Sequence, residues 1–207
     1  RIALRPQFFK SEKWSIDVMV PYTIFSTASM VEPTKGSYTL LKAFREVKRI
    51  VPQARLVLAG ITQTGIRKSG YLRMLERFIN SNGLKDSVEF IGCLDTDNLI
   101  KEYLRANVFV NPSYVESYSL ILAESTYLGV PTVACYAGAM GELGNDKSVL
   151  YFPKYDYRSC ASKIIVILTH HEIAKDLSVN SVAFSERKHN PESVAKTQFS
   201  IYSSVIR

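Results

Sequence analysis

The fold of this chain is decided by the stretch Asn111-Pro-Ser-Tyr-Val-Glu-Ser-Tyr-Ser-Leu-Ile-Leu-Ala-Glu-Ser-Thr-Tyr-Leu-Gly-Val-Pro-Thr-Val-Ala-Cys135. Its pattern predicts the end of a buried strand, a short loop, a helix and then a second buried strand. Ser117 and Ser119 stand where the helix begins, and serine is a preferred N-cap residue. The free N–H groups and partial positive charge of that helix N-terminus predict an anion site beyond the strand ends.

Two carboxylates lie in this stretch. Glu116 falls in the loop before the helix, and Glu124 falls inside the helix. For each of them, a solvated or capping role is the alternative to a functional one. The residues around Glu124 leave the helix little polar face, so we expect the helix to be covered and its carboxylate to need a partner or a ligand. Carboxylates that accept hydroxyl donors beside an anion site suit a nucleotide sugar.

Short apolar runs alternate with helical patterns along the rest of the chain. The runs are apolar throughout, as expected for a parallel sheet that is covered on both faces. We therefore predict an α/β domain over residues 22–207, a doubly wound, Rossmann-like parallel sheet, preceded by a linker or lead-in segment over residues 1–21. The last helix is predicted to begin at Pro191. The predicted strands are Tyr22–Ala28, Arg55–Gly60, Val88–Gly92, Val108–Asn111, Pro131–Cys135 and Val149–Phe152, and the apolar positions of the last helix are Val194, Phe199, Ile201, Tyr202 and Val205.

Composition excludes several classes of protein. The chain has 207 residues, enough for one full core, and a formal net charge of +7. Its basic residues are scattered and no nucleic-acid motif is present, so we expect no nucleic-acid partner. The positive net charge is also consistent with binding to the cytoplasmic membrane surface, but it supports this only weakly. No signal peptide and no apolar run of roughly 20 residues is present, and we expect a cytoplasmic protein.

The three cysteines, Cys93, Cys135 and Cys160, are far apart in the sequence and have no metal-ligand spacing. We expect them to be reduced, buried thiols. No G-x-G-x-x-G follows the first strand, which argues against a dinucleotide oxidoreductase. Gly60 and Gly65 have P-loop spacing, but no Lys-Ser/Thr follows Gly65, so Gly60 is better interpreted as allowing close backbone approach.

The run from Glu116 to Glu124, followed by Leu-Gly-Val-Pro-Thr-Val-Ala, resembles the signature of retaining group-1 glycosyltransferases (glycosyltransferase family 4). The resemblance covers roughly Tyr22 to the C-terminus. It implies the C-terminal, donor-binding half of a GT-B architecture, without the N-terminal acceptor domain. The full enzyme of such a family transfers a sugar from a nucleotide-diphosphate sugar to an acceptor hydroxyl with retention.

The resemblance also implies a donor site. Lys35 would bind the phosphates, Glu116 would be the catalytic carboxylate that holds sugar hydroxyls, and Glu124 would hold the ribose hydroxyls. Cys93 and Leu94 would line the base pocket. The donor-binding set as a whole is Lys35, Gly60, Cys93, Leu94, Glu116, Ser117, Tyr118, Ser119, Leu120, Glu124 and Gly138.

This sequence departs from the family's pattern at three places. Ser29 and Met30 stand where the family usually has an arginine before its Lys-Gly pair. Tyr118-Ser119 replaces Phe-Gly, and the Gly-Gly loop is only partly matched around Gly138.

No metal or other cofactor is implied, because Lys35 and the helix N-termini take the role of the cation. The partners would be a nucleotide sugar and an acceptor glycan or lipid-linked glycan, the latter bound by the missing domain in polysaccharide biosynthesis. The isolated chain is expected to bind donor but to be inactive or weakly active alone. The alternative is a non-catalytic nucleotide-sugar-binding module or subunit that acts with a separate partner chain.

Overall fold

The computed structural model describes residues 4–27, 32–60 and 70–205. Its centre is a six-stranded sheet in the order β3-β2-β1-β4-β5-β6, and every pair of neighbouring strands is parallel. The strands are β1 (Thr23–Ser26), β2 (Arg55–Ala59), β3 (Val88–Gly92), β4 (Val108–Asn111), β5 (Thr132–Cys135) and β6 (Leu150–Phe152).

Eight α-helices connect and flank these strands in the described part of the chain. They are α1 (Pro6–Lys10), α2 (Ser37–Ile50), α3 (Gly70–Ser81), α4 (Thr96–Arg105), α5 (Leu120–Tyr127), α6 (Tyr157–Thr169), α7 (His171–His189) and α8 (Pro191–Val205). Three 3₁₀ turns, Pro33–Lys35, Lys85–Ser87 and Gly138–Glu142, lie between them.

The order of the strands reverses at β1. From β1 the chain first builds outward through β2 to β3, and then returns to place β4 on the other side of β1. All residues of β1, β4 and β5 are buried, which explains why each strand is apolar on both faces. In open parallel sheets, ligands bind beyond the carboxyl ends of the strands at such a reversal.

Helix α5 is the most covered helix near that reversal. Its residues from Leu122 to Tyr127 are buried, as the lack of a polar face predicted. Small side chains allow this packing: the hydroxyl of Ser185 on α7 donates to Thr126 at 2.9 Å. At Gly129, where φ is +78°, a Cβ would lie 2.8 Å from a methyl group of Val182.

The lead-in segment contributes to the core. Phe8 is fully buried and Trp14 is 6% exposed. The indole N–H of Trp14 donates to the carbonyl of Ala106 at 2.7 Å, and its backbone N–H donates to Leu128 at 2.7 Å. These contacts fix the segment that follows α1 at the C-terminal ends of α4 and α5.

The C-terminal helix differs from its prediction. It begins at Pro191, as expected, with Asn190 accepting a capping bond from the backbone N–H of Ser193. Of its five apolar positions, however, only Val194 is buried. The others face solvent because no described element packs against that part of α8; they are Phe199, Ile201, Tyr202 and Val205.

Candidate functional site

A cleft of about 530 Å³ opens at the carboxyl ends of β1, β2 and β3, against the N-terminal half of α5. It lies at the reversal of strand order. Five of the predicted donor-binding residues line it. Its lining is Arg5, Thr27, Ala59, Gly60, Cys93, Leu94, Leu99, Leu120, Ile121 and Glu124.

The cleft has both apolar and polar lining residues. Leu94 and Leu99 are half-buried beside Ile121, and such surfaces suit the faces of a flat ring. The polar lining residues of the cleft include Glu124 and Arg5. Thr27 also lines the cleft, and its buried hydroxyl oxygen has no hydrogen-bond partner among the described residues.

Glu124 is the carboxylate of the cleft lining, and it is buried, at 3% exposed. Its Oε1 accepts two hydrogen bonds from Arg5, one from Nη2 at 2.7 Å and one from Nε at 3.2 Å. Its Oε2 is buried and has no partner among the described residues. Burial raises the pKa of the Glu124 carboxyl, and the hydrogen bond and charge of Arg5 oppose that rise. The prediction that this carboxylate would be covered and would need a partner is confirmed.

Lys35 and Glu116 are brought together beside the cleft rather than in its lining. The ammonium of Lys35 donates to Oε1 of Glu116 at 3.0 Å, and both side chains keep some exposure, 31% and 14%. Lys35 ends a 3₁₀ turn, and Gly36 follows it with φ +71°. The carbonyl of Thr34 accepts from the backbone N–H of Tyr114 at 2.8 Å. The loop after β1 and the loop after β4 are thus tied to each other.

Gly36 lets those two loops approach closely. A Cβ at this position would lie 2.0 Å from the carbonyl oxygen of Pro112. The predicted site residue Gly138 plays the same part on the other side, since a Cβ there would lie 1.8 Å from the carbonyl oxygen of Glu116. Backbone contacts with two glycines therefore fix the position of the Glu116 loop.

The N-terminus of α5 differs in detail from its prediction. Ser119 is the N-cap residue by position, but its side chain makes no capping hydrogen bond. Its backbone is left-handed, with φ +71° and ψ +79°, and its hydroxyl instead accepts from Asn111 Nδ2 at 2.9 Å. Ser117 is exposed and lies outside the cap, while Tyr118 is half-buried and packs at the edge of the core. The left-handed backbone explains why a glycine suits this place.

Five lining residues were not predicted: Arg5, Thr27, Ala59, Leu99 and Ile121. Thr27 and Ala59 sit at the carboxyl ends of β1 and β2, so the rule that ligands bind beyond strand ends could have found them. No local signal marks Arg5, because its partner lies 119 positions away in the sequence. Two sequence arguments lie outside the described residues, the one on Ser29 and Met30 and the one on the run from Gly65 to Arg67.

The cysteines differ in exposure. Cys93 is exposed at the cleft, so the expectation of three buried thiols is wrong there. It follows β3, which is the edge strand of the sheet. Cys135 and Cys160 are buried as expected. Burial raises the pKa of the Cys135 thiol to about 11 and raises that of Cys160 as well.

Two searches of residues 4–27, 32–60 and 70–205 were negative. No group of three or more His, Cys, Asp or Glu side chains in these ranges could hold a metal ion. None of their helices combines the length and the apolarity needed to cross a bilayer. Whether the donor site works without a metal stays a prediction.

Comparison with known proteins places these features in a family. The sequence profile of the family described as "Glycosyl transferases group 1" matches residues 9–183. D-inositol 3-phosphate glycosyltransferase 2 of Catenulispora acidiphila is 24% identical over 189 residues, which are 88% of this chain and 44% of the relative. The chain thus spans less than half the length of that relative.

Solved structures share the fold. Sucrose-phosphate synthase from Thermosynechococcus elongatus superposes with a TM-score of 0.78 at 24% identity, over 94% of this chain and 51% of the other. HepE of Anabaena, in complex with UDP and glucose, superposes with a TM-score of 0.77 at 20% identity, over 89% of this chain and 48% of the other. The predicted doubly wound, Rossmann-like domain of GT-B form is confirmed.

Proposed function

This chain belongs to the group 1 glycosyl transferases, and on that premise we propose that it is the donor-binding half of a retaining enzyme of glycosyltransferase family 4. The cleft takes a nucleotide-diphosphate sugar, and the full enzyme transfers the sugar to an acceptor hydroxyl. The observation that carries the proposal is that Glu124, a residue of the cleft lining, has a buried Oε2 without a hydrogen-bond partner among the described residues. A buried carboxylate oxygen of this kind needs a donor, and a ribose hydroxyl supplies one.

The mixed apolar and polar lining of the cleft suits a nucleoside diphosphate, which has a flat base and a polar ribose diphosphate. The base packs against Leu94 and Leu99, with Cys93 at its edge. The ribose then lies at Glu124 and the diphosphate at the N-terminus of α5, beside the backbone amides near Ser119. That helix end supplies free N–H groups and a partial positive charge to the anion.

Lys35 supplies the full positive charge that the leaving diphosphate requires. An ammonium group has three N–H donors, so Lys35 can keep its bond to Glu116 and still donate to a phosphate oxygen. Negative charge that develops on the departing diphosphate is thereby stabilised by preorganised donors, without a metal ion. Glu116 holds hydroxyls of the transferred sugar and is the catalytic carboxylate.

The acceptor is a glycan or lipid-linked glycan that a further, N-terminal domain binds in the full enzyme at the cytoplasmic face of a membrane. This chain alone binds the donor but turns it over slowly or not at all. Ser117, Tyr118, Leu120 and Gly138 complete the donor site through backbone contacts and close packing.

Isothermal titration of the 207-residue chain with UDP, GDP and NADH tests the proposal. One nucleoside diphosphate binds and NADH does not. Glu124→Ala and Lys35→Ala each weaken that binding, because each removes a charge-assisted hydrogen bond worth roughly 10- to 150-fold in Kd. Lys42→Ala is the matched control: Lys42 lies on α2 over the ring of Tyr38, outside the cleft. Binding that is indifferent to both site substitutions would refute the proposed site.

A further inference from the structure

We propose that Arg5 is a positioning residue that sets the ribose selectivity of the cleft, by holding Glu124 so that one carboxylate oxygen faces the ribose hydroxyls. The inference rests on the proposed donor site and goes beyond it, because it assigns a role to a residue that lies before the first strand. Arg5 is far from Glu124 in the sequence, and the tertiary structure brings the two side chains together. The role follows from three contacts of the guanidinium group.

The first contact is the two-fold hydrogen bond from Arg5 to Glu124. Nε and Nη2 both donate to Oε1, at 3.2 Å and 2.7 Å. Both bonds go to one oxygen, and Oε2 is left buried and without a partner among the described residues. Arg5 therefore fixes the carboxylate through Oε1 and leaves Oε2 able to accept a hydrogen bond from a ligand.

The second and third contacts hold the guanidinium itself. Its Nη1 donates to the hydroxyl of Thr96, the first residue of α4, at 2.8 Å. Its central carbon lies 5.1 Å from the centre of the Phe8 ring, and Phe8 is fully buried. Arg5 is thus fixed from three sides, by α4, by α5 and by its own helix α1, although its side chain is 43% exposed. A lysine has no planar fork and could not make the same set of contacts.

A fixed carboxylate oxygen makes the site selective. Without Arg5, Glu124 would be a buried carboxylate with no cation beside it among the described residues, and such a group takes up a proton or turns towards water. In either state it no longer presents a fixed acceptor. A site built around a buried acceptor discriminates strongly against an analogue that lacks the hydroxyl, because the acceptor is then left unpaired.

The test compares the affinities of UDP and GDP with those of their 2′,3′-dideoxy analogues, using calorimetry on the 207-residue chain. The ratio of the two dissociation constants is the ribose preference. We expect the wild-type ratio to be at least about tenfold, the effect of one hydrogen bond to a charged group. Arg5→Met lowers the ratio to within about threefold of one and leaves the affinity for the dideoxy analogue unchanged. Arg5→Lys gives an intermediate ratio, since the charge stays but the fork is lost.

Two further variants separate positioning from simple stability. Thr96→Val removes only the outer anchor of Arg5 and should lower the ribose preference part of the way. Lys10→Met removes an exposed positive charge from the same helix, outside the cleft lining, and should leave the preference unchanged.

Each outcome is decisive. A full ribose preference in Arg5→Met, beside its loss in Glu124→Gln, would overturn the role of Arg5 and leave the donor site standing. An equal loss of affinity for UDP and for its dideoxy analogue in Arg5→Met would overturn it too, because such a loss reflects general structure. If the wild type binds no nucleoside diphosphate, both this inference and the proposed function are overturned.

Discussion

Replacing Gly36 with alanine perturbs the contact that joins Lys35 to the Glu116 loop. Gly36 has φ +71°, and an added Cβ would lie 2.0 Å from the carbonyl oxygen of Pro112 and 2.7 Å from its carbonyl carbon. Both atoms belong to backbone, so no side-chain rotation relieves the overlap. The loop after β4 must move by about 1 Å or more to restore ordinary van der Waals separation, and Lys35 moves relative to Glu116.

The expected cost has two parts. A residue with a Cβ in a left-handed conformation is destabilised by about 1–2 kcal/mol relative to glycine. Overpacking against fixed backbone adds about 1–3 kcal/mol. Alanine also lowers the conformational entropy of the unfolded chain, which stabilises the folded protein by about 0.4–1 kcal/mol. The free energy of unfolding should therefore fall by roughly 2–4 kcal/mol, from the sum of these effects.

Gly83→Ala is the matched control. Gly83 has φ +65°, and a Cβ there would meet nothing within 4 Å. Alanine at this position is destabilised by the left-handed backbone conformation, but its Cβ overlaps no neighbouring atom. Urea and thermal unfolding of both variants should place Gly36→Ala below Gly83→Ala by about 1–3 kcal/mol, or about 2–12 °C in Tm at this chain length. Equal destabilisation of the two variants would refute the close contact with Pro112.

Three further predictions concern the site. Burial raises the pKa of Glu124 above its unfolded value of about 4.5, so ionisation of this carboxyl opposes folding. As the pH rises above that value, the wild type should lose stability relative to Glu124→Gln in urea unfolding, and a difference that stays constant with pH would contradict this. An alkylating reagent should modify Cys93 in the native protein and spare Cys135 and Cys160, as detected by mass spectrometry. Bound UDP or GDP should slow the modification of Cys93. Equal labelling of all three cysteines would contradict the burial of Cys135 and Cys160. Lys35→Met should weaken nucleoside diphosphate binding roughly 10-fold or more, and less so at high salt; an effect independent of salt would argue against a charge contact.

The sheet could be predicted from sequence because its signal is local. Each strand is a short apolar run bounded by polar or small residues, and parallel strands covered on both faces need that composition. The burial of Glu124 could be predicted for the same reason, since its helix has almost no polar face. The resemblance to group-1 glycosyltransferases implied that Gly60, Cys93 and Leu94 belong to the donor site, and all three line the cleft at the carboxyl ends of β2 and β3.

What sequence reasoning missed depends on contacts between distant segments. Arg5 reaches Glu124 only because Phe8 and Trp14 anchor the lead-in segment in the core. The left-handed backbone of Ser119 is likewise a product of tertiary structure: Asn111 holds its hydroxyl, and serine alone would not choose that conformation. Neither fact leaves a trace in local composition or periodicity.

The exposed apolar positions of α8 show that sequence periodicity can also predict burial that the structure does not have. Phe199 and Tyr202 have the spacing of a buried face, yet both are exposed. Periodicity predicts that a helix has an apolar side, but a partner element must be present to cover it.

The most direct test of the donor site is a crystal structure of the 207-residue chain with UDP or GDP bound. We expect the ribose hydroxyls within hydrogen-bond distance of Oε2 of Glu124, the base between Leu94 and Leu99, and the diphosphate at the backbone amides of Ser119 and Leu120. A nucleotide bound elsewhere on the chain, or in this cleft with its ribose turned away from Glu124, would contradict the proposed site.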